Sequence, residues 1–396
     1  MRMRTSALTY ALGFYGQRPC HLAKDINYPK GVGRISIRRL RLRKAKQMKR
    51  IGNLYEKIIS VENLRLADEK ARRGKTHSYG VKVHDKNQQQ NILALHEALK
   101  NKTFRTSKYD VFTVYEPKER VIYRLPYYPD RIVHHAIMNV LEPIWTKVFT
   151  YNTYSCIKGR GIEGCARQVD RIIKDFGGRN LYCLKIDIRK YYPSIDHEVM
   201  KQIIRRKIKD RDLLWLLDEI IDSAEGLPIG NYLSQYLSNL YLAYVMHWVN
   251  ERMPMEIGNN PTIRCTEYAD DIVFFSDKKE TLRAVFPLIQ EKIEQGLKVK
   301  IKDNWQIFPM AENRYDTHGR ALDYVGYKFY RRQKLMRKSI KKNLCRKVAR
   351  LRKRTKPLSG KALKIAICPW LGWAKHSNSK NLLKTILTKE DYESIL

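Results

Sequence analysis

Apolar residues fall at helical spacing from Leu54 to Arg73 and again from Gln88 to Leu99, which predicts helices over both stretches. Val111-Phe112-Thr113-Val114-Tyr115 and Arg120-Val121-Ile122-Tyr123-Arg124 then alternate like two strands. Glu116-Pro117-Lys118-Glu119 between them reads as a hairpin loop. Helical spacing returns from Asp130 to Trp145. Cys183-Leu184-Lys185-Ile186-Asp187-Ile188 reads as a strand with an acid near its end. Helices are expected from His197 and from Leu233 to Trp248. Strict alternation over Leu297-Lys298-Val299-Lys300-Ile301-Lys302 predicts a half-exposed strand. Leu322 to Phe329 with Gln333 to Met336 reads as a further hairpin, and helices rich in Lys and Arg finish the chain.

One turn carries chemistry. Tyr268-Ala269-Asp270-Asp271 precedes the apolar run Ile272-Val273-Phe274-Phe275, the pattern of a tight hairpin turn leading into a buried strand. Adjacent carboxylates repel unless a proton or a cation relieves them. An ordinary Asp-Asp surface turn is the plain alternative.

Composition narrows the partners. The formal net charge is +38 over 396 residues, with 25 Tyr among the basic residues. A charge of that size concerns partners more than fold, and nucleic acid is the expected one; a ribosomal or membrane-surface protein is the alternative. Residues 1–50 hold fourteen Lys and Arg against the single acid Asp25. They read as a basic extension that is disordered, lies on nucleic acid, or is not made if Met48 is the true start. The seven Cys form no C-x-x-C pair, so neither a zinc knuckle nor a disulfide framework is supported, and free thiols suit a reducing cytoplasm. No run is long and apolar enough to span a bilayer, so no membrane partner is expected. Gly31-Val32-Gly33 lacks the strand and third glycine of a dinucleotide-binding loop.

Asp187 is the sole acid between Leu181 and Tyr192, on a strand expected to be buried. A buried carboxylate needs a partner, and Lys185 or Arg189 would serve. If Asp187 and Asp270 lie on neighbouring strands, they form a site for two Mg2+ ions, because hard cations choose carboxylate oxygen. Such ions, ~3.5–4 Å apart, activate a 3′-hydroxyl and stabilise leaving pyrophosphate. The Ile188 carbonyl offers a further oxygen, and Asp271 tunes the pair or binds metal.

Lys185-Ile186-Asp187-Ile188-Arg189-Lys190-Tyr191-Tyr192-Pro193-Ser194-Ile195 resembles the first catalytic-aspartate motif of reverse transcriptases, and Tyr268-Ala269-Asp270-Asp271 resembles their second. Between them, where most retroelement enzymes read Gln-Gly-x-x-x-Ser-Pro, this chain has Ile229-Gly230-Asn231-Tyr232-Leu233-Ser234-Gln235. That variant resembles reverse transcriptases of diversity-generating retroelements, relatives of the group II intron and retron enzymes. The ordered motifs cover residues 110 to 330.

The resemblance implies an α+β right-hand polymerase fold. Fingers and N-terminal helices would occupy 51–180, a palm with a small antiparallel sheet carrying the aspartates 181–330, and a helical thumb 331–396. It implies an RNA-directed DNA polymerase with catalytic Asp187, Asp270 and Asp271 and a two-ion Mg2+ site. The partners it implies are template RNA, primer or cDNA, dNTPs and a small basic accessory protein acting as an oligomer.

By the same resemblance Lys118, Arg120 and Arg124 meet the triphosphate, with Arg124 the first choice because a guanidinium fork suits phosphate oxygens. Tyr192 matches a steric gate against the ribose 2′-hydroxyl, with core packing beside Tyr191 the alternative, and Gly230 and Gln235 belong to the nucleotide pocket, Gly230 approaching the templating pair. Lys302 would protonate pyrophosphate, although Lys298 and Lys300 look alike. Tyr324 and Gly326 resemble a primer grip, with ordinary core the alternative for the aromatics.

Ile229 stands where related enzymes carry a Gln near the sugar of the incoming nucleotide. It can make no side-chain hydrogen bond there. The family's misincorporation opposite template adenines is what the resemblance implies for this position. Other bacterial reverse transcriptases (retron, reduced group II intron or phage-defence type) and a non-catalytic RNA-binding protein with a polymerase fold are the competing readings.

Overall fold

The computed structural model describes residues 49–115, 119–258, 262–354 and 358–395. Most of the basic extension therefore lies outside the described residues, as does Lys118. Helices α1 (Tyr55–Ile59), α2 (Val61–Ala71), α3 (Tyr79–Asp85) and α4 (Gln88–Lys100) lead into the hairpin β1 (Asp110–Val114) and β2 (Arg120–Arg124). Then come α5 (Ile132–Trp145), α6 (Gly161–Phe176), β3 (Tyr182–Asp187), α7 (Tyr191–Ser194), α8 (His197–Arg205), α9 (Arg211–Ile221), α10 (Tyr232–Glu251) and α11 (Met253–Ile257). Next are β4 (Arg264–Tyr268), β5 (Asp271–Ser276), α12 (Lys279–Glu291), β6 (Gln306–Pro309), β7 (Leu322–Tyr324), β8 (Tyr327–Phe329) and β9 (Lys334–Met336). The chain closes with α13 (Lys338–Arg352), α14 (Gly360–Lys375), α15 (Lys380–Ile386) and α16 (Lys389–Ile395). The architecture is mixed: helices surround small antiparallel sheets.

The central sheet has the order β4-β5-β3-β6, antiparallel throughout. Both its faces are covered, which is why β5 reads as a continuous apolar run. Ile272 and Phe274 join the large core with α5, α8 and α10, while Val273 and Phe275 pack with α6 and the β7–β8 hairpin. Phe274 and Phe275 are fully buried, each worth about 1.5–3 kcal/mol relative to exposure. A third cluster, built on Leu344, Leu363 and Ile367, joins the C-terminal helices.

The N-terminal helices are stapled to this core by Asp210. Its carboxylate caps α9 through the Leu213 N–H and also accepts the Leu54 N–H at 2.6 Å and the Tyr55 N–H at 3.0 Å.

Two expectations change. Leu297 to Lys302 is not a strand. Its alternation is real, with Leu297, Val299 and Ile301 buried, but only Ile301 forms a bridge, to Ile188. Lys298 takes a left-handed conformation, φ 56°, that breaks the extension. The expected hairpin at 322–336 is a three-stranded meander, turned at Val325-Gly326.

Candidate active site

Strands β3 and β5 pair so that Asp187 faces Asp271 across the ladder. The turn between β4 and β5 is two residues long, with Ala269 at φ 55° and Asp270 beside it. The Asp270 carbonyl accepts the Ile188 N–H at 3.3 Å, so the hairpin tip rests on the end of β3. Sequence-distant Asp187, Asp270 and Asp271 are thereby brought together at one end of the two central strands, beside the Ile188 backbone.

Each strand carboxylate has its own ammonium. Lys302 Nζ lies 2.6 Å from Asp187 Oδ1, and Lys185 Nζ lies 3.2 Å from Asp271 Oδ2 while donating to the Asp323 carbonyl at 2.7 Å. Lys185, proposed above as a partner for Asp187, thus serves Asp271 instead. Lys298 is committed to Asp196 at 2.8 Å, and the Lys300 carbonyl accepts the Arg189 N–H. Of the three look-alike lysines, Lys302 is the one at the site.

The electrostatics are frustrated. Burial, and then the charge of Asp187, raise the Asp270 pKa; Lys302 and Arg120 oppose them. Burial lifts Asp271 to about 6 against the pull of Lys185, with Asp187 and Asp270 adding to the rise. Asp271 Oδ1 is buried without a hydrogen-bond partner. Hard oxygen donors, mutual repulsion and an orphaned oxygen fit a divalent cation. Among the described residues, no three His, Cys, Asp or Glu side chains already converge as a ligand cluster.

The flanking segments place the remaining residues. Tyr192 is largely buried on α7, and its hydroxyl shares a 3.2 Å hydrogen bond with Ser238 Oγ. Burial above all, with the Asp270 charge, pushes its phenol up, while the Ser238 hydrogen bond and the Arg120 charge oppose. Arg124 instead pairs with Asp110 on the neighbouring strand and lies over Phe112, 5.4 Å from its ring centre. Of the two hairpin arginines, Arg120 is the one whose charge lowers the Asp270 pKa.

The Ile229 carbonyl accepts the Tyr123 N–H at 2.9 Å, and Ile229 itself is half-buried. Gly230, at φ +116°, leaves room for β2: a Cβ there would lie 3.1 Å from the Tyr123 carbonyl oxygen. Gly230 thus makes a close approach to the hairpin backbone. Gln235 is half-buried on α10, and its carbonyl accepts the Ser238 hydroxyl at 2.8 Å.

Tyr324 is fully buried, and its hydroxyl donates to the Asp271 carbonyl at 3.1 Å. It braces β5 from within the core, the alternative that the sequence left open. Gly326, at φ +87°, lies under Trp373, whose Nε1 would be 2.5 Å from an added Cβ.

Residues 150–161 escaped the sequence reading because they have no periodicity; Gly159-Arg160-Gly161 is their only punctuation. The Glu267 N–H donates to the Asn152 carbonyl at 2.9 Å, and the Tyr154 N–H donates to the Glu267 carbonyl at 3.0 Å. Arg160 Nη1 donates to the Thr150 and Thr153 carbonyls, and Asn239 Nδ2 donates to that of Ser155. The loop is thereby locked onto β4 and α10, and it holds the exposed thiol of Cys156 near Tyr192 and Tyr268. Glu267 is wholly buried, with Thr153 Oγ1 donating to it at 2.9 Å, and burial pushes it up to about 8.

Comparison with known proteins places this geometry. A family model described as reverse transcriptase (RNA-dependent DNA polymerase) matches residues 108–328, the span that holds every one of these elements except Trp373. Protein YkfC of Escherichia coli K12 is 26% identical over 218 residues, 51% of this chain and 51% of that protein. The retron Ec73 reverse transcriptase of Escherichia coli is 24% identical over 48% of this chain and 58% of its own length. The group II intron-encoded protein LtrA of Lactococcus lactis is 26% identical over 30% of this chain and 21% of its own. The chain thus spans about half the length of the first two relatives and about a fifth of the third. Among solved structures, apo telomerase from Candida tropicalis superposes with a TM-score of 0.45 at 11% identity, over 74% of this chain and 56% of that one.

Proposed function

The chain belongs to the reverse transcriptase family, and from that membership we propose that it copies an RNA template into DNA, with Asp187, Asp270 and Asp271 as the catalytic carboxylates. The observation that carries this reading is the in-register pairing of Asp187 with Asp271 beneath the Asp270 turn. In this reading residues 51–180 act as fingers and N-terminal helices, 181–330 as palm and 331–396 as thumb.

Asp187, Asp270 and the Ile188 carbonyl would hold Mg2+, with Asp271 beside them. When bound, the metal supplies charge neutralisation at the attacking and leaving oxygens. The protein's own groups do the rest. Arg120 presents a guanidinium toward the nucleotide space, where a fork of N–H donors suits phosphate oxygens. Tyr192, fixed by Ser238, closes the sugar side and excludes a 2′-hydroxyl. Lys302 holds a proton at Nζ, beside Asp187 and within reach of a departing phosphate. Gly230 keeps the hairpin close to the α10 loop, so that Arg120 and Tyr192 bound one space.

The finer reading is a polymerase of a diversity-generating retroelement, making error-prone cDNA from a template-repeat RNA with a small basic accessory protein. It rests on Ile229 and Gln235 in the Ile-Gly-x-x-x-Ser-Gln segment. Losing a polar contact at 229 relaxes the check on the nascent pair, since specificity is a difference in transition-state binding. Sequencing cDNA made by wild type and Ile229→Gln tests it: fewer errors opposite adenine in the variant support it, and an unchanged spectrum removes it. The likeness to the retron and intron proteins favours a second reading, another bacterial reverse transcriptase. A template repeat and a variable-repeat gene beside the coding sequence decide between the two.

A further inference from the structure

Cys156 holds a backbone conformation that suits glycine better. Its φ of 54° lies in the left-handed region. A side chain persists there only where its surroundings over-determine it, and such residues gather at functional sites. The loop around Cys156 is gripped from two sides. On one side Thr153 bridges Glu267 of β4 in parallel, and its hydroxyl donates to the buried Glu267 carboxyl at 2.9 Å. On the other side Asn239 of α10, itself buried, donates from Nδ2 to the Ser155 carbonyl at 2.7 Å. Asn239 Oδ1 is buried without a hydrogen-bond partner among the described residues, so this amide is committed to the loop alone. Between the two grips the thiol stays exposed.

Tyr192 is anchored to the same turn of α10. Its hydroxyl shares a hydrogen bond with Ser238, the residue before Asn239, and the Tyr191 hydroxyl donates to the Ser238 carbonyl at 2.6 Å. Two consecutive residues of one helix thus set both the tyrosine and the loop that carries Cys156. Burial raises the phenols of Tyr192, Tyr232 and Tyr268, and Cys156 adds to the rise in each, so the thiol lies within electrostatic reach of all three. A tyrosine excludes a ribose hydroxyl only if its ring cannot recede. Tyr191 backs the Tyr192 ring edge-on, with centres 5.8 Å apart, and a second flank needs a neighbour that is equally fixed.

We propose that Cys156 determines nucleotide specificity, its thiol walling the sugar side of the nucleotide space beside Tyr192, with Thr153, Glu267 and Asn239 as the positioning residues that hold it there. The assignment rests on the polymerase reading. It selects a deoxyribonucleoside triphosphate over the ribonucleoside triphosphate by volume. A glycine at 156 would relax the backbone and open a gap, which is why a side chain is kept in a conformation that costs it stability.

The test is the ratio of kcat/KM for rNTP to that for dNTP, read by primer extension on an RNA template. A ratio taken on one sample does not depend on how much of that sample is folded. Cys156→Gly suits the backbone and removes the thiol, and Thr153→Val keeps the shape and removes the donor. Both are expected to raise the ratio by on the order of 10-fold, and Thr153→Ser, which keeps the hydroxyl, should restore the wild-type value. An unchanged ratio in Cys156→Gly overturns the wall. A raised ratio in Cys156→Gly beside an unchanged one in Thr153→Val overturns the positioning role of the clasp. Wild type supplies a second readout that needs no variant: labelling of Cys156 by methyl methanethiosulfonate, mapped by mass spectrometry, should slow when primer–template and the next dNTP are bound. Labelling at the same rate with and without the nucleotide also overturns the wall. Wild type that extends primers but shows neither effect removes the wall alone, whereas wild type that extends with neither nucleotide removes the polymerase reading.

Discussion

Lys302 meets Asp187 twice: its ammonium lies 2.6 Å from Oδ1, and its backbone N–H donates to the Asp187 carbonyl at 2.8 Å. The backbone bond fixes where the side chain starts, so the ammonium is aimed by the fold. Neither Lys298 nor Lys300 has this arrangement. Under the proposed function Lys302 acts as a proton donor, a role that typically contributes 10²–10⁴-fold.

Lys302→Met is therefore expected to lower kcat for primer extension by on the order of 10²-fold, with little change in KM for dNTP. Lys298→Met and Lys300→Met should retain activity near wild type. Steady-state kinetics on the three variants checks this ranking.

Tyr324→Phe removes the hydroxyl that donates to the Asp271 carbonyl. The expected cost is about 1 kcal/mol of unfolding free energy, since one buried partner is lost and the ring's packing is kept. Urea denaturation reads it directly. A variant that instead keeps full stability and loses primer binding would restore Tyr324 as a direct primer contact.

Glu267 gives a pH dependence with a definite sign. Its folded pKa of about 8 lies above its ordinary value of 4.5, because burial disfavours the charged form. The folded state thus holds a proton that the unfolded state releases. This contribution to stability is complete below pH 4.5 and is lost as pH rises through 8. Glu267→Gln should remove that decline, so that the gap in Tm between variant and wild type widens from pH 5 to pH 8.5. Thermal melts across that range check it.

Gly226 is tied to the Tyr192 turn. A Cβ there would lie 2.5 Å from the Tyr192 and Pro193 carbonyl oxygens, at φ +61°. Gly226→Ala must push the turn aside, and should cost about 2 kcal/mol or more and raise KM for dNTP. Gly159→Ala, at φ +80° with open space around it, carries only the conformational cost of about 1 kcal/mol. Denaturation of the pair separates crowding from backbone strain.

Much of the site was legible because its residues violate local expectations. An acid on the β3 strand and an Asp-Asp turn before a doubly buried strand are costly unless they act together. The hairpin β1–β2 and helix α10 followed from periodicity. Helices α6, α9 and α12 also carry apolar residues at helical spacing, as at Leu213, Leu216, Leu217, Ile220 and Ile221. Strand β6 is four residues long and too short to show a period. Side-chain partners were illegible for a different reason. Whether Lys185 serves Asp187 or Asp271, and whether Arg120 or Arg124 turns toward the aspartates, depends on register and hairpin twist, and local sequence does not encode either. Alternation misled at Leu297–Lys302 because burial alternates there without a ladder beyond one bridge.

The central claim is that Asp187, Asp270 and Asp271 form the centre of an RNA-templated DNA polymerase. Primer extension with dNTPs and Mg2+ on an RNA template, comparing wild type with Asp270→Ala, tests it most directly. Full-length cDNA from wild type, and a loss of on the order of 10³-fold or more in the variant, is the predicted result. Extension by Asp270→Ala at the wild-type rate, or no Mg2+-dependent product from wild type, would contradict it.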